Sequence, residues 1–160
     1  MKRILFVCLG NICRSPTAEA IMKAFIDSEG MERQFIVDSA GTSGFHEGEQ
    51  ADSRSRSHAN ERGVEIESIS RKIQVPEDFQ NFDYIFAMDE DNLSDLLDLD
   101  KDGNFKHKIH LVTKFCSDTS FKDKGVPDPY YSGDRGFEIV FDILDDACQG
   151  VLEYIRSDEH

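Results

Sequence analysis

Residues 7–16 have the sequence VCLGNICRSP and join a short apolar segment to an amphipathic one. Residues 4–8 are continuously apolar, as is typical of a strand that is buried on both faces. Residues 18–26 place apolar side chains on one helical face. Ser15 is a favourable N-cap residue, and Pro16 suits the first helical position. The sequence therefore predicts a strand, a tight loop and a helix that begins at Pro16.

The loop between this strand and helix contains the groups that an oxyanion site requires. Gly10 takes positive φ angles without strain and Asn11 tolerates them better than most residues, so a tight loop is expected. Backbone N–H groups at a helix N-terminus favour negative charge, and Arg14 can bind two oxygens of one anion. The same positive field favours the thiolate form of Cys8. This combination predicts phosphoryl transfer to sulfur, although the bare Cys-x5-Arg spacing also fits a buried thiol near a solvated arginine.

The length and composition indicate one globular domain that comprises residues 1–160. Hydrophobic residues make up 39% of the chain and aromatic residues 10%. No apolar run is long enough to span a bilayer, and the apolar stretch near the N-terminus is too short for a signal peptide. The cysteines do not have the spacing of a secreted disulfide framework: Cys8, Cys13, Cys116 and Cys148. We therefore expect a cytoplasmic protein.

The formal net charge of −14 argues against two classes of partner. Nucleic acids and anionic membrane surfaces both attract basic proteins, so neither is expected to bind this chain. An anion site inside an acidic protein must therefore act at short range. Backbone dipoles and Arg14 act at contact distance, whereas surface carboxylates beyond a Debye length are largely screened.

Strand and helix signals alternate along the chain. Apolar runs predict strands at residues 4–8, 35–41, 84–88 and 108–112. Polar and amphipathic stretches predict helices at residues 53–62 and 92–99, and a long last helix that begins near Asp134. This alternation predicts an α/β fold with a parallel sheet and right-handed crossovers. Ligands of such folds bind at the carboxyl ends of the strands, where Cys8 lies.

The second informative segment is VPDPYY, residues 126–131. Two prolines fix the backbone on either side of Asp128, and two aromatic residues follow. Asp128 is therefore suited to protonate a phenolic leaving group and then to accept a proton from the attacking water. Tyr130 and Tyr131 are expected to line a slot for a phosphotyrosine ring. The segment alone also fits a Pro-Asp turn with two half-buried tyrosines, but the thiol and the arginine favour the catalytic interpretation.

The chain resembles the low-molecular-weight protein tyrosine phosphatases over essentially its whole length. The resemblance rests on VCLGNICRSP at residues 7–16, DSAGT at residues 38–42, AMD at residues 87–89 and DPYY at residues 128–131. It implies a four-stranded parallel sheet that is flanked by helices on both faces, with the phosphate-binding loop between strand 1 and helix 1. It also implies a protein tyrosine phosphatase that needs neither a cofactor nor a metal ion.

The resemblance further implies catalytic roles for three residues. Cys8 is expected to be the nucleophile, Arg14 to bind phosphate and stabilise the transition state, and Asp128 to act as general acid and base. The remaining members of the phosphate-binding loop are Leu9, Gly10, Asn11, Ile12, Cys13 and Ser15. The rim of the substrate pocket is assigned to Phe45, Tyr130 and Tyr131. Many relatives have Trp where Phe45 stands, so the rim loses an indole donor here.

Three polar residues are expected to support the loop. Ser15 is expected to donate a hydrogen bond to the cysteine sulfur and to ease its departure from phosphocysteine. Asn11 and Ser39 are expected to hold the loop in its strained shape. Some relatives place a supporting histidine at about Ser68, and residues 67–70 contain none. The sequence therefore leaves open how this support is replaced.

The expected substrates are phosphotyrosine-containing proteins or small aryl phosphates, with inorganic phosphate as product and inhibitor. Three alternatives share the fold. A thiol-dependent arsenate reductase needs two further cysteines after the third strand, and residues 79–99 contain none. A protein-arginine phosphatase has Thr where this chain has Ile12, whose apolar side chain favours a phenyl ring. A catalytically inactive phosphopeptide-binding module is disfavoured because Cys8, Arg14 and Asp128 are all present.

Cys13 lies five residues after Cys8 on the same loop, so the two sulfurs can approach each other. Peroxide is expected to oxidise the thiolate of Cys8 first, after which Cys13 resolves the sulfenic acid as a disulfide. This predicts reversible inactivation by oxidation. The alternative is that Cys13 only packs beneath the loop, and both can hold together.

Overall fold

The computed structural model describes residues 1–157, which build a four-stranded sheet with helices on both faces. The strands are β1 (Lys2–Cys8), β2 (Phe35–Gly41), β3 (Tyr84–Ala87) and β4 (Ile109–Leu111). All neighbouring strands pair in parallel, in the order β2-β1-β3-β4. The predicted α/β fold is therefore confirmed. That residues 1–160 form one domain stays a prediction, and the last three of these residues lie outside the described part of the chain.

Residues 1–157 also form five helices and two 3-10 turns. The helices are α1 (Arg14–Ser28), α2 (Ser53–Glu61), α3 (Glu77–Asn81), α4 (Glu90–Leu99) and α5 (Gly133–Ser157). The 3-10 turns, Lys106–Lys108 and Val112–Phe115, lie on either side of β4. Within residues 1–157, none of the helices has the length and apolar character needed to cross a membrane.

The central strand β1 is apolar from Ile4 to Cys8 because helices cover both of its faces. Ile4 and Phe6 pack on one face, in a cluster that contains residues of α1 and α5. Leu5 and Val7 pack on the other face, with residues of α3 and α4. All four side chains are fully buried. The continuous apolar run follows directly from this two-sided packing.

The carboxyl ends of the strands form the edge at which the site lies. β1 has β2 on one side and β3 on the other, with Cys8 beside Gly41 and Val7 beside Ala87. The chain therefore runs from β1 to β2 on one side and later returns to β3 on the other side of β1. A crevice opens outside the strand ends where the strand order reverses in this way. The end of β1 places Cys8 at the base of this crevice.

Two helix starts differ from the predictions. α1 begins at Arg14 rather than at Pro16, and its N-cap position is Cys13, which makes no side-chain cap hydrogen bond. Ser15 is therefore not an N-cap residue, and that prediction is wrong. α4 begins at Glu90, two residues earlier than predicted, because the side chain of Asp89 accepts a hydrogen bond from the backbone N–H of Asn92.

Candidate active site

The loop of residues 8–14, called the 8–14 loop below, turns from β1 into α1 around Asn11. Asn11 has a left-handed backbone conformation (φ +56°), which the sequence allows at this residue, whereas Gly10 does not adopt a positive φ. The N–H of Asn11 donates to Sγ of Cys8 (3.3 Å). Its side-chain amide donates to the hydroxyl oxygens of Ser15 (2.8 Å) and Ser39 (2.9 Å). Asn11 thus connects the loop to the first turn of α1 and to β2.

Cys8 is buried within the 8–14 loop, with 3% of its surface exposed. Its sulfur lies 2.9 Å from the hydroxyl oxygen of Ser15, and either atom can be the donor. The backbone N–H groups of Gly10, Ile12 and Cys13 donate to no acceptor within residues 1–157. Together with the N-terminus of α1, these amides offer several donors to an anion at the loop.

The side chain of Arg14 is held by residues outside the 8–14 loop. Its Nη1 donates to Oδ2 of Asp89 and to the carbonyl oxygen of Val126 (3.0 Å). Burial by itself lowers the pKa of Arg14, but the facing Cys8 and the hydrogen bond to Asp89 outweigh burial and raise the pKa above its ordinary value. The guanidinium is therefore charged at every physiological pH, and its orientation is fixed from one end.

Asp128 stands at the open side of the cleft. Its Oδ1 accepts a hydrogen bond from the backbone N–H of Tyr130 (3.1 Å), and its Oδ2 lies 3.9 Å from Nη2 of Arg14. Half of the side chain is exposed. The carboxyl group therefore reaches both solvent and the guanidinium, which is the position that exchange of a proton with a leaving group and with water requires.

One cleft of about 390 Å³ unites these residues. It is lined by Cys8, Leu9, Gly10, Ile12, Cys13, Arg14, Ser43, Phe45, His46, Asp128, Tyr130 and Tyr131. The predicted site residues that do not line it, Asn11, Ser15 and Ser39, are buried and hydrogen-bonded to one another. The rim side chains Phe45 and Tyr131 are 84% and 96% exposed, so their rings are free to contact a substrate.

The sequence did not indicate which residues replace the missing histidine near Ser68. The buried hydroxyl of Ser70 donates to the carbonyl oxygen of Gly10 (3.0 Å). The backbone N–H of Arg71 donates to Oδ1 of Asn11 (3.0 Å). A serine and a backbone amide, rather than an imidazole, therefore hold this side of the 8–14 loop.

Glu19 is a further supporting residue that the sequence reasoning missed. This buried carboxylate accepts a hydrogen bond from the hydroxyl of Ser39 (2.6 Å) and pairs with Lys23 (2.6 Å). A chain of hydrogen bonds thus leads from the surface through Glu19, Ser39 and Asn11 to Ser15 beside the sulfur. The position of Glu19 on the predicted helix, four residues before a lysine, was the one available signal.

Asp52 and Arg54 connect the 8–14 loop to the segment that contains Asp128. The backbone N–H of Asp52 donates to the carbonyl oxygen of Ile12 (2.8 Å), and its carboxylate binds the guanidinium of Arg54. That guanidinium lies over the ring of Tyr130, 5.3 Å from its centroid. The sequence predicts a polar helix here but not these contacts.

Cys13 is almost fully buried, although part of its surface lines the cleft. It is buried in a small cluster with Ile12 and Phe137. Burial, followed by the nearby carboxylate of Asp52, raises the pKa of the Cys13 thiol to about 12. At neutral pH Cys13 is therefore a thiol and not a thiolate.

Comparison with known proteins identifies the family of this chain. A family model described as "Low molecular weight phosphotyrosine protein phosphatase" matches residues 3–160. The human low molecular weight phosphotyrosine protein phosphatase is 39% identical over 156 residues, which cover 95% of this chain and 94% of the human protein.

Solved structures agree with this assignment. A protein tyrosine phosphatase from Entamoeba histolytica superposes with a TM-score of 0.92 and 49% identity, over 100% of both chains. A Drosophila arginine phosphatase superposes with a TM-score of 0.88 and 33% identity, over 99% of this chain and 100% of that chain. The resemblance inferred from the sequence motifs is confirmed. The chain belongs to the low-molecular-weight phosphotyrosine protein phosphatases, a family of hydrolases.

Proposed function

We propose that this protein hydrolyses phosphotyrosine in proteins through a phosphocysteine intermediate. The observation that carries the proposal is the convergence of a thiol, a guanidinium and a carboxyl group on one cleft with aromatic walls. Cys8 acts as the nucleophile, Arg14 binds phosphate, and Asp128 is the general acid and base. No step requires a metal ion or a cofactor.

In the first step, the thiolate of Cys8 attacks phosphorus and the bond from phosphorus to the tyrosyl oxygen breaks. Asp128 gives its proton to the departing oxygen, so that the product is neutral tyrosine. The guanidinium of Arg14 and the loop amides bind the three equatorial oxygens, where negative charge is concentrated in the transition state.

In the second step, water attacks phosphocysteine and the sulfur leaves as thiolate. Asp128, now a carboxylate, accepts a proton from that water. The hydroxyl of Ser15, 2.9 Å from the sulfur, donates a hydrogen bond to the departing thiolate. Inorganic phosphate is the product, and it inhibits because it occupies the same anion site.

The cleft walls favour an aromatic substrate. Ile12 lines the cleft with an apolar side chain, and the exposed rings of Phe45 and Tyr131 offer stacking surfaces at the rim. A phosphotyrosine ring, or the ring of a small aryl phosphate, buries apolar area against these side chains, whereas a phosphoguanidinium leaves its N–H groups unpaired beside Ile12. We therefore place phosphotyrosine ahead of phosphoarginine.

The same chemistry indicates a location and excludes one class of partner. Catalysis needs a free thiol at Cys8, which the reducing cytoplasm maintains, so we place the protein there. The net charge of −14 opposes binding of nucleic acid. Cys13 is proposed to resolve an oxidised Cys8 as a disulfide: peroxide converts the thiolate to sulfenic acid, and the Cys13 thiol displaces water from it.

The test is a comparison of rates on phosphotyrosine, phosphoarginine and phosphoserine peptides, with kcat/KM expected to be largest for phosphotyrosine. Cys8→Ser is expected to abolish turnover. Asp128→Ala is expected to slow phosphocysteine formation by about 10²- to 10⁴-fold for poor leaving groups and far less for p-nitrophenyl phosphate.

Asp102→Ala is the matched control, since it removes an exposed carboxylate outside the cleft. An equal penalty for Asp128→Ala across all leaving groups would exclude Asp128 as the general acid. A faster rate on phosphoarginine than on phosphotyrosine would assign the protein to the other substrate class.

A further inference from the structure

A second group of chemically active side chains lies outside the cleft, where the last turn of α2 packs against the first turns of α5. His58 and Glu61 are three residues apart on α2, Glu138 is on α5, and one ligand atom from each lies within 4.8 Å of the others. Among residues 1–157 this is the one such grouping of three or more His, Cys, Asp or Glu side chains. One imidazole nitrogen and two carboxylate oxygens are a donor set that Zn²⁺ and related ions accept.

The imidazole of His58 is already oriented as a ligand requires. Its side chain is 14% exposed, and its ring stacks on Phe137 with the planes 3° apart. Nδ1 contacts Oε1 of Glu138, while Nε2 lies 3.4 Å from Oδ1 of Asp134. In metal sites a carboxylate on the second imidazole nitrogen fixes the ring and strengthens the ligand nitrogen. Asp134 stands in that position.

The carboxylate of Glu138 is fixed in the same way. Its Oε2 accepts a hydrogen bond from Nη2 of Arg62, which also donates to Asp142 and lies over the ring of Phe141. Oε1 is consequently directed at His58. A ligand whose second oxygen is held by a neighbour loses little conformational freedom when it binds an ion.

The surrounding charge also favours a cation. The carboxylates of Glu138 and Asp142 pair with the guanidinium of Arg62, and those of Glu61 and Asp134 lie close to His58. His58 and Glu61 also lie in the last turn of α2, where the helix dipole places negative potential.

We propose that His58, Glu61 and Glu138 bind a divalent transition-metal ion of the Zn²⁺ class, which joins α2 to α5. Nδ1 of His58 and one oxygen from each glutamate are the ligands, and water completes the coordination. The proton that Nδ1 shares with Glu138 is released to solvent when the ion binds. The site contains none of the residues assigned to catalysis, so it stands or falls independently of the proposed reaction. Its effect is to stabilise the native state, because the ligands come together only when α2 and α5 are packed.

The experiment is titration of chelator-treated protein with Zn²⁺ by isothermal calorimetry, in the Cys8→Ser background so that the active-site thiol does not compete. One saturable site is expected. Glu61→Gln is the decisive change because Glu61 is exposed and its replacement leaves the packing intact. It should weaken Zn²⁺ binding by about tenfold or more. Glu65→Gln, an equally exposed glutamate outside the group, should leave the affinity unchanged.

A second measurement follows the melting temperature. Zn²⁺ should raise it in the Cys8→Ser protein and in its Glu65→Gln variant, and much less in the Glu61→Gln variant. His58→Asn should also lose binding, and if that variant does not fold, Glu61→Gln decides alone. The absence of saturable Zn²⁺ binding, or an equal affinity in the Glu61→Gln and Glu65→Gln proteins, would overturn the proposal.

Discussion

Ser70 supports the 8–14 loop although it lies sixty residues beyond Gly10, whose carbonyl oxygen it binds. In Ser70→Ala this partly buried carbonyl loses its donor, so the free energy of unfolding is expected to fall by about 1 kcal/mol. The inhibition constant of inorganic phosphate should rise, because the loop amides lose their shared orientation. Urea unfolding and phosphate inhibition of aryl phosphate hydrolysis measure the two effects.

Ser68→Ala is the matched control for this substitution. Ser68 is two residues away and half-buried, and its side chain has no hydrogen-bond partner within residues 1–157. The control should change neither quantity. If phosphate inhibits the Ser70→Ala and Ser68→Ala variants equally, Ser70 does not maintain the anion site.

Cys13 is protonated at neutral pH because burial raises its pKa to about 12. Peroxide reacts with thiolates, so Cys13 should not be the first residue that is oxidised. Cys13→Ser is expected to leave turnover largely intact but to make inactivation by peroxide irreversible. Below this pKa the thiolate fraction of Cys13 increases with pH. In the unmodified protein, the disulfide between Cys8 and Cys13 should therefore form faster at higher pH.

The measurement is activity after peroxide treatment and then after incubation with a reductant. Cys116→Ser provides the control, since Cys116 is also buried, has a similarly raised pKa and does not line the cleft. It should recover like the unmodified protein. Full recovery of the Cys13→Ser variant would show that another residue protects Cys8.

Among the helices, α5 depends on a glycine where it crosses the 3-10 turn Val112–Phe115. A Cβ on Gly150 would lie 1.8 Å from the carbonyl oxygen of Phe115. Gly150→Ala is therefore expected to destabilise the protein by about 1–3 kcal/mol, although alanine favours a helix more than glycine does. Gln149→Ala, an exposed neighbour on α5, should be nearly neutral. Thermal unfolding of both variants provides the check, and a stabilised Gly150→Ala protein would contradict the close packing.

The elements could be predicted from the sequence where neighbours in the chain determine them. The apolar run of β1 and the left-handed turn at Asn11 depend on local preferences, and both are found. Ser15 was misassigned as an N-cap because its hydroxyl instead contacts Cys8 and Asn11. Helix-capping preferences consider only neighbouring backbone groups, and so they do not include the competing contact between the Ser15 hydroxyl and the Cys8 sulfur.

The contacts between residues far apart in the sequence could not be predicted. Asp89 binds Arg14 from seventy-five residues away, and Glu138 contacts His58 across eighty. Nothing in the residue pattern states which carboxylate meets which base, because that depends on the strand order and on the rotation of each helix. The site was predictable as a set of residues, but the contacts that orient them were not.

The whole molecule combines a strongly acidic surface with an anion site. The site acts through contacts with Arg14 and the loop amides, whereas surface carboxylates more than about 8 Å away are largely screened at physiological ionic strength. We therefore expect the inhibition constant of phosphate to change by less than about twofold between low and physiological ionic strength. The measurement is phosphate inhibition in a series of NaCl concentrations at fixed pH. If inhibition by phosphate decreases steeply as salt is lowered, the net charge of the protein controls the binding of phosphate to the site.

The hydrogen bonds from Arg14 to Asp89 and Val126 also determine when conformational entropy is lost. A free arginine side chain loses about 2 kcal/mol of rotamer entropy when it is immobilised. Here that loss occurs during folding, because the guanidinium is held at one edge by the protein itself. Substrate binding therefore does not include this entropic cost, and a ligand as small as a phosphate group retains more of its gross binding energy as affinity.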